Sequence, residues 1–253
     1  MLAVARHEVI LDALQRERVV RISDLAAQLG VSLMTVRRDI EQLEEDGKLE
    51  RIHGGAKLPG DASAHEPGFE LKSTRLTAEK RAIAVAAAAL VQEGMAVGLS
   101  AGTTTWALAR ELVGGPRITV VTNSMRIADL FHPGGSAVIL IGGERTPSDA
   151  LVGPIATGAL RQLHLDLLFL GVHGMDAGAG FTTPNLLEAE TDRAFMAAAR
   201  RTVVLADHTK WGMLGISTIA ALDDVDEVIS DAGLSAEARR VVGERAKLRV
   251  VPA

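Results

Sequence analysis

The chain has 253 residues, is 47% apolar and contains no cysteine, which excludes a wholly disordered protein, a disulfide-stabilised secreted scaffold and any thiolate metal site. Twenty-seven Lys and Arg against 32 Asp and Glu give a net charge of −5, so the protein does not coat nucleic acid or anionic lipid with its whole surface. Any contact with DNA must therefore be local. The sequence shows no signal-peptide core, and its longest uncharged helical run, 82–92, is too short to span a bilayer, so we expect a cytoplasmic protein with no membrane partner.

The N-terminal segment is predicted to form a helix-turn-helix. Apolar residues recur at helical spacing over about residues 2–15, 24–29 and 33–46. Ser23 and Ser32 stand at the N-cap positions of the second and third helices, and a glycine between these helices ends the second. In a helix-turn-helix the second helix of the pair lies in the major groove, with its N-terminal residues toward the base edges.

A small set of side chains in this motif is predicted to contact DNA. Thr35 and Arg38 share the outward face of the third helix, and the neighbouring Arg37 is better placed for a phosphate. The alternating segment 48–56 turns at a glycine pair, which predicts a β-hairpin wing beside the DNA backbone or the minor groove. The complete predicted set is Ser23, Ser32, Met34, Thr35, Arg37, Arg38, Arg51 and His53.

A helical bundle whose arginines are merely solvated, or which docks on another protein, explains the same spacing. Residues 1–58 hold nine basic and ten acidic side chains, so the net charge of the segment does not decide between the alternatives. The acids, however, cluster at 41–46, whereas Arg37 and Arg38 stand in the N-terminal half of the third helix. We expect Asp39 to orient an arginine, because a carboxylate repels an anionic duplex.

After a linker, the rest of the chain predicts an open, mostly parallel α/β sheet. Residues 57–69 are too polar, and too interrupted by Gly and Pro, to form a core element. Beyond them, apolar runs typical of strands buried on both faces alternate with helical patterns. The runs are 96–99, 118–122, 138–141, 165–170, 203–206 and 227–229, and the main helical patterns are 78–92, 104–112, 125–131, 155–163 and 188–200. We expect domains at 1–57 and 74–253, joined by residues 58–73.

Two loops of the larger domain are predicted to share one ligand crevice. The loop 100–105 places small residues and hydroxyls at a helix N-terminus, where free N–H groups and the helix dipole favour an anion. The Gly-rich turn 171–174 follows a strand at its carboxyl end, where open α/β sheets bind ligands. Downstream, Thr182 and Glu188 suit sugar hydroxyls, and Lys210 supplies an ammonium group. Each feature also has an ordinary explanation, as a capped turn or a solvated charge.

The N-terminal segment resembles the DeoR-type winged helix-turn-helix along its whole length. The resemblance is carried by the stretches 32–40 (SLMTVRRDI) and 47–56 (GKLERIHGGA), with Arg6, Ile10 and Leu14 before them. In that family, the first stretch opens the recognition helix. The resemblance therefore implies that its serine, its threonine and its two arginines contact DNA.

The larger domain, from about residue 77 to 231, resembles the sensor domain of DeoR-type repressors. The motifs that carry the resemblance include Glu79-Lys80, Gly102-Thr103-Thr104-Thr105, Val121-Thr122-Asn123-Ser124, Gly171, Gly174 and Ala206-Asp207-His208-Thr209-Lys210. More distantly, the domain is similar to ribose-5-phosphate isomerase, whose phosphate loop matches 98–105 and whose phosphate-binding lysines match Lys80 and Lys210. This similarity implies a phosphosugar pocket.

The sequence departs from the isomerase at the groups that perform its chemistry. Glu188 matches the catalytic glutamate, but the acid pair of the isomerase is missing at 170–174, and its catalytic lysine has no counterpart at 177–181. Proton transfer between two sugar carbons needs a positioned base and an electrophile. We therefore expect ligand binding without catalysis.

Together these features predict a repressor of a carbohydrate or polyol catabolic operon, controlled by a phosphorylated sugar-like effector. Its partners would be a double-stranded DNA operator and a second copy of the chain, in a homodimer or homotetramer, because helix-turn-helix proteins pair on half-sites. No catalytic residue, metal or cofactor is expected. The alternative is an aldose–ketose sugar-phosphate isomerase with an incidental N-terminal module. The predicted effector-binding residues are Lys80, Ser100, Gly102, Thr103, Thr104, Thr105, Gly171, His173, Gly174, Thr182, Glu188 and Lys210.

Overall fold

The computed structural model describes residues 3–17, 19–46, 48–52, 54–57, 68–131 and 135–253. The chain divides into two compact units, Met1–Ala62 and Ser63–Ala253. Each unit has a hydrophobic core of its own. Within the described ranges, no helix combines the length and the apolar character that a membrane crossing requires.

The first unit packs three helices against a small antiparallel sheet. Its elements are α1 (Ala3–Glu17), β1 (Val19–Arg21), α2 (Ile22–Leu29), α3 (Leu33–Glu45), β2 (Glu50–Ile52) and β3 (Gly55–Lys57). The three strands lie in the order β1-β3-β2. Gly30 ends α2 in the left-handed conformation, with φ of 64°, which residues bearing a β-carbon rarely adopt. This arrangement confirms the predicted helix-turn-helix with a wing.

One of the two predicted N-caps is wrong. Ser32 caps α3 as expected, since its Oγ accepts the N–H of Thr35 at 3.1 Å. Ser23, in contrast, lies inside the first turn of α2 and donates its hydroxyl to Asp24. The helix begins earlier because β1 leads directly into it, and Arg21, still extended, occupies the cap position. A strand of three residues is too short to show a period in the sequence.

The second unit alternates strands and helices along the chain. Its elements are α4 (Phe69–Ser73), α5 (Thr77–Ala88), β4 (Ala96–Leu99), α6 (Thr103–Leu112), β5 (Thr119–Thr122), α7 (Met125–Ala128), β6 (Ala137–Leu140), β7 (Glu144–Arg145), β8 (Leu151–Val152), α8 (Pro154–Leu160), β9 (Leu167–Gly171), β10 (Gly174–Asp176), β11 (Gly180–Thr183), α9 (Leu186–Ala198), β12 (Thr202–Leu205), β13 (Ser217–Ala220), β14 (Glu227–Asp231), α10 (Ala236–Gly243) and β15 (Lys247–Val251).

The centre of this unit is a seven-stranded parallel sheet in the order β15-β14-β12-β9-β4-β5-β6. Hydrophobic clusters cover both of its faces, with α5 and α6 contributing to one and α8 and α9 to the other. The predicted open α/β fold is confirmed, and all six predicted strands belong to this sheet. β5 and β6 follow β4 on one side of the sheet, whereas β9, β12, β14 and β15 follow one another on the other side. The direction in which successive strands are added therefore reverses between β4 and β9. Such a switch point opens a crevice at the carboxyl ends of the strands.

The predicted linker contains a packed helix. Residues 58–67 lie outside the described residues, but residues 69–73 form α4, and the Phe69 side chain is only 6% exposed. The Phe69 ring meets Trp106 of α6 edge-on, with 5.8 Å between the ring centroids. The expectation that this segment provides no core residue is therefore wrong at its end. A single aromatic residue among polar residues gives no periodic signal.

Candidate functional site

The N-terminal half of α3 presents an open polar and cationic surface. Arg37 and Arg38 are exposed, and neither forms an ion pair with any residue that the structure describes. The Ser32 and Thr35 hydroxyls lie 2.9 Å apart and hydrogen bond to each other at the start of the helix. Met34 is 56% exposed, although its side chain is apolar. Arginine guanidinium groups read the edge of guanine, hydroxyl groups hydrogen bond to donor or acceptor groups of the bases, and apolar side chains contact the methyl group of thymine. The start of α3 carries all three types of group.

Asp39 points the other way, into the first unit. Its carboxylate accepts two hydrogen bonds from the Arg6 guanidinium of α1, at 2.6 and 2.8 Å, and His7 lies 3.3 Å away. The hydrogen bond from Arg6 holds the pKa of Asp39 below its usual value, although burial opposes the shift. The expectation that Asp39 orients an arginine is confirmed. The arginine is Arg6 of α1, one of the residues that carry the family resemblance.

Replacing Asp39 with alanine is expected to destabilise the first unit by about 1–3 kcal/mol, the usual cost of leaving a charged hydrogen-bonding group without its partner. Because the folded pKa of Asp39 is lowered, the stabilisation is present above the unfolded pKa and is lost as pH falls through the folded pKa, below about 4. Urea unfolding at pH 7 checks the expectation. Glu45→Ala, an exposed change on the same helix, is the control. Equal unfolding midpoints for the two variants would contradict it.

The wing is attached to the other end of α3. Arg51 of β2 pairs with Glu41 at 2.9 Å, and its main-chain N–H donates to Glu44 at 3.1 Å. Both side chains of the ion pair are 49% exposed. The predicted contact residue His53 lies outside the described residues. Arg51 is thus accessible to a phosphate but already has a carboxylate partner.

A cleft in the second unit lies at the switch point between β4 and β9. It is bounded by the loops that follow these strands and β12, by α4 and by the loop between β7 and β8. The lining residues are Phe69, Lys72, Ala101, Gly102, Thr103, Thr104, Ser148, Gly171, Val172, His173, Thr183, Glu188, Asp192, Leu205 and Lys210. Seven of the twelve predicted effector residues are among them, namely Gly102, Thr103, Thr104, Gly171, His173, Glu188 and Lys210.

One side of the cleft is the N-terminus of α6. The helix begins at Thr103, and its N-cap residue, Gly102, provides no side-chain cap for the first N–H groups. Ser100 and Thr105 do not line the cleft but hold the loop in place. The Ser100 Oγ accepts the N–H of Gly171 at 3.0 Å, and the Thr105 hydroxyl donates to the carbonyl oxygens of Ser100 and Gly102 at 2.6 and 3.0 Å. The first N–H groups of α6 can therefore receive an anion.

Lysine side chains surround the same side of the cleft. Lys210 and Lys72 line it, whereas Lys80 is buried behind it and donates its ammonium to the carbonyl oxygens of Lys72 and Arg75, at 2.5 and 2.6 Å. The pKa of Lys80 is lowered to about 8, mainly by burial; Lys210, Lys72 and Arg75 contribute to the decrease, and Asp207 opposes it. The structure thus places Lys80 as a support of the turn after α4, not among the lining residues.

The buried carboxylate of Asp207 partly balances these charges. Burial alone raises the pKa of Asp207, but Lys210, the Thr209 hydroxyl and Lys80 lower it by more, so the pKa lies below its usual value. The group is therefore an anion at neutral pH. On this side the three lysine ammonium groups outnumber the Asp207 carboxylate, which favours an anion here. The carboxylates of Glu188 and Asp192 also line the cleft, so its charges nearly balance over the cleft as a whole.

The other side of the cleft carries a carboxylate among hydroxyls. The Glu188 Oε1 accepts from Thr146 at 2.6 Å and from the Ser148 hydroxyl, and Oε2 lies 3.3 Å from the Thr183 hydroxyl. Asn185 caps α9 and thereby fixes the first turn, in which Glu188 lies. Such a carboxylate can accept hydrogen bonds from the hydroxyls of a ligand.

Two predicted effector residues face away from this side. Thr182 of β11 is buried, and its Oγ1 accepts the N–H of Gly215 at 2.9 Å, while the next residue, Thr183, lines the cleft. Successive strand residues point to opposite faces, so a choice between adjacent threonines needs the register of the strand. Gly174 packs against the main chain of Met213, where a β-carbon would clash at 2.1 Å. Ser148 was not predicted, because it lies on a loop without a motif.

Sequence comparison assigns both units. Residues 6–61 match the DeoR-like helix-turn-helix domain, and residues 75–232 match the DeoR C terminal sensor domain. The chain belongs to the DeoR family. Members of this family named as relatives include the HTH-type transcriptional regulator YgbI of Escherichia coli, 35% identical over 96% of this chain and 95% of its own, and GlpR of Haloferax volcanii, 37% identical over 91% and 90%. The transcriptional repressor AccR of Agrobacterium fabrum is 32% identical over 90% and 89%.

The DeoR family membership makes this chain a DNA-binding transcriptional regulator and not an enzyme. The isomerase alternative is set aside on this ground. Among solved structures, ribose 5-phosphate isomerase A from Methanocaldococcus jannaschii is similar with a TM-score of 0.39 and 18% identity, over 52% of this chain and 53% of its own.

Proposed function

We propose that this DeoR-family protein represses a carbohydrate or polyol catabolic operon and that a phosphorylated sugar-like effector sets its affinity for the operator. One observation carries the proposal. The cleft at the switch point joins the uncapped N-terminus of α6 and Lys210 on one side to Glu188 and its hydroxyl partners on the other. N–H groups and ammonium groups bind phosphate, and a carboxylate binds hydroxyls, so the cleft suits an anion attached to a polyhydroxylated chain.

The proposal assigns the operator contacts to the first unit. The residues are Ser32 at the N-cap of α3, Met34, Thr35, Arg37 and Arg38 on α3, and in addition Ser23, Arg51 and His53. The DNA-binding domain would cover residues 1–57 and the effector and oligomerisation domain residues 74–253, in a homodimer or homotetramer that meets two half-sites. Effector and operator are then linked by one coupling free energy, which each ligand exerts on the binding of the other.

A thermal-shift screen tests the effector class. A ligand that binds only the folded state raises the melting temperature, so we expect phosphorylated sugars or polyols to raise it while their unphosphorylated forms do not. A fragment that the full chain selects from genomic DNA then serves as operator, and a hit should change its Kd. The proposal is wrong if no phosphorylated compound raises the melting temperature, or if every hit leaves the Kd for DNA unchanged.

Effector affinity is expected to fall as pH rises through about 8. An anion in the cleft favours the ammonium form of Lys80, whose pKa is lowered to about 8 mainly by burial. Binding near pH 8 should therefore take up a proton, and binding at pH 9 should be weaker because Lys80 must first be protonated. Titration calorimetry at pH 7, 8 and 9 in buffers of different ionisation enthalpy measures both effects. Affinity that does not vary with pH would contradict the expectation.

Lys80→Arg is the matched control for this pH dependence. The guanidinium stays charged over the whole range, so the variant should lose both the proton uptake and the fall in affinity. For folding the sign is opposite. The unfolded chain binds this proton more tightly, so the Lys80 contribution to the free energy of unfolding increases with pH between about 8 and 10.5.

A further inference from the structure

We infer that α4 is a ligand-responsive element of the sensor domain and that Arg126 is the positioning residue that holds it against the effector cleft. The inference rests on the proposed function, because it deepens the description of the same cleft. It adds Phe69 and Lys72 to the effector site.

The first observation is that α4 forms part of the cleft wall. Phe69 and Lys72, one turn apart on α4, line the cleft together with the first residues of α6. The Phe69 ring also packs on Trp106, which lies one turn further along α6. A ligand bound at the N-terminus of α6 is therefore within the same cleft as Phe69 and Lys72 of α4.

The second observation is that Arg126 joins α4 to the opposite rim of the cleft. Its guanidinium lies 4.4 Å from the centroid of Phe69, 2.8 Å from the carboxylate of Glu70 and 2.7 Å from that of Asp149. Asp149 belongs to the loop between β7 and β8, and its neighbour Ser148 lines the cleft and hydrogen bonds to Glu188. The Arg126 side chain thus contacts both α4 and the loop between β7 and β8. A ligand that touches both segments therefore changes the surroundings of Arg126 from two directions.

The third observation is that tertiary contacts, not helix propensity, hold α4 in place. A helix of five residues is unstable alone, since helix nucleation is unfavourable. Lys80 binds the carbonyl oxygens of Lys72 and Arg75 at its C-terminal end. The next residue, Leu76, has φ of 51°, a left-handed conformation that is unfavourable for a side chain with a β-carbon. The docked state of α4 therefore depends on its contacts, and an anion near Lys80 strengthens them by favouring the charged ammonium.

Hydrogen exchange of the full chain tests the inference, with inorganic phosphate as the probe and chloride of equal ionic strength as the reference. In the wild type, we expect phosphate to slow exchange at least threefold in peptides covering 100–106 and 69–76. In Arg126→Ala, the protection of 100–106 should persist, whereas that of 69–76 should be lost. Arg117→Ala removes an exposed arginine of the same unit and should behave as the wild type. Unchanged exchange in β9 shows that each variant is folded.

The outcomes separate this inference from the proposed function. Phosphate protection of 100–106 without any protection of 69–76 in the wild type would leave the anion site standing and overturn the role of α4. An Arg126→Ala variant that responds as the wild type does would overturn the role of Arg126. Protection of neither segment would overturn the proposed anion site, and the present inference with it.

Discussion

Replacing Arg38 with alanine is expected to weaken specific operator binding by about 1–3 kcal/mol, which is roughly 5- to 150-fold in Kd. The reason is its position. Arg38 lies exposed on α3, and no described residue pairs with its guanidinium, so the group can reach a base edge without leaving another partner. An arginine that reads a guanine discriminates between sequences. The loss should therefore appear on the operator fragment and be small on a scrambled duplex of equal length.

Arg37→Ala is the informative comparison, because a phosphate contact carries no sequence information. We expect it to weaken operator and scrambled DNA alike and to reduce the slope of log K against log salt by about one. Fluorescence anisotropy at four KCl concentrations measures both quantities, with Arg117→Ala as the control. An Arg38→Ala variant whose operator-to-scrambled affinity ratio equals that of the wild type would remove Arg38 from the base contacts.

Replacing Lys210 with alanine is expected to weaken effector binding by about 1.5–3 kcal/mol, roughly 10- to 150-fold, since hydrogen bonds to charged groups are worth that much. Lys210 lies on the short turn after β12 and lines the same cleft as the start of α6. The change also removes a cation that lowers the pKa of the buried Asp207, so that pKa should rise. Calorimetry with a hit from the thermal-shift screen measures the loss of affinity.

Lys247→Ala is the matched control for Lys210→Ala. It also removes one positive charge, but Lys247 begins β15 and so lies at the amino end of the parallel sheet, whereas the cleft lies at the carboxyl ends. There it pairs with Glu227, which Arg201 also binds. Equal effector affinity of the two variants would show that Lys210 acts through net charge and not through contact.

The sequence predicted those parts of the fold that leave a regular or continuous apolar pattern along the chain. Strands buried on both faces appear as continuous apolar runs, which is why β4 and β12 were located to within one residue. β15 was missed because its charged residues Lys247 and Arg249 interrupt the run, and both bind Glu227 of β14. β1 and the pair β7-β8 have two or three residues each, which is too short for any period.

The residues of the candidate site likewise divide into those that the sequence could predict and those that it could not. Gly102, Gly171 and Lys210 could be predicted, because the ends of parallel strands meet at a switch point whatever the details of packing. Phe69 and Ser148 could not, since each reaches the cleft through the docking of a short segment that the sequence presents as a loop. The direction in which the Lys80 side chain points could not be predicted either. A sequence pattern typical of phosphate binding does not indicate that the lysine ammonium will donate to main-chain carbonyl oxygens instead.

If Arg51 contacts a DNA phosphate as proposed, its ion pair with Glu41 bears on how the protein searches along DNA. A phosphate that binds Arg51 must displace a carboxylate that already lies 2.9 Å away, so one anion replaces another and the electrostatic gain is small. On DNA of random sequence, the wing would gain no more than this replacement of a carboxylate by a phosphate. On the proposed assignment, a matched sequence would compensate for it through base contacts made by α3, so the acidic end of this helix would lower background occupancy of the genome. The cost is fewer counterions released per complex than the number of surface arginines indicates.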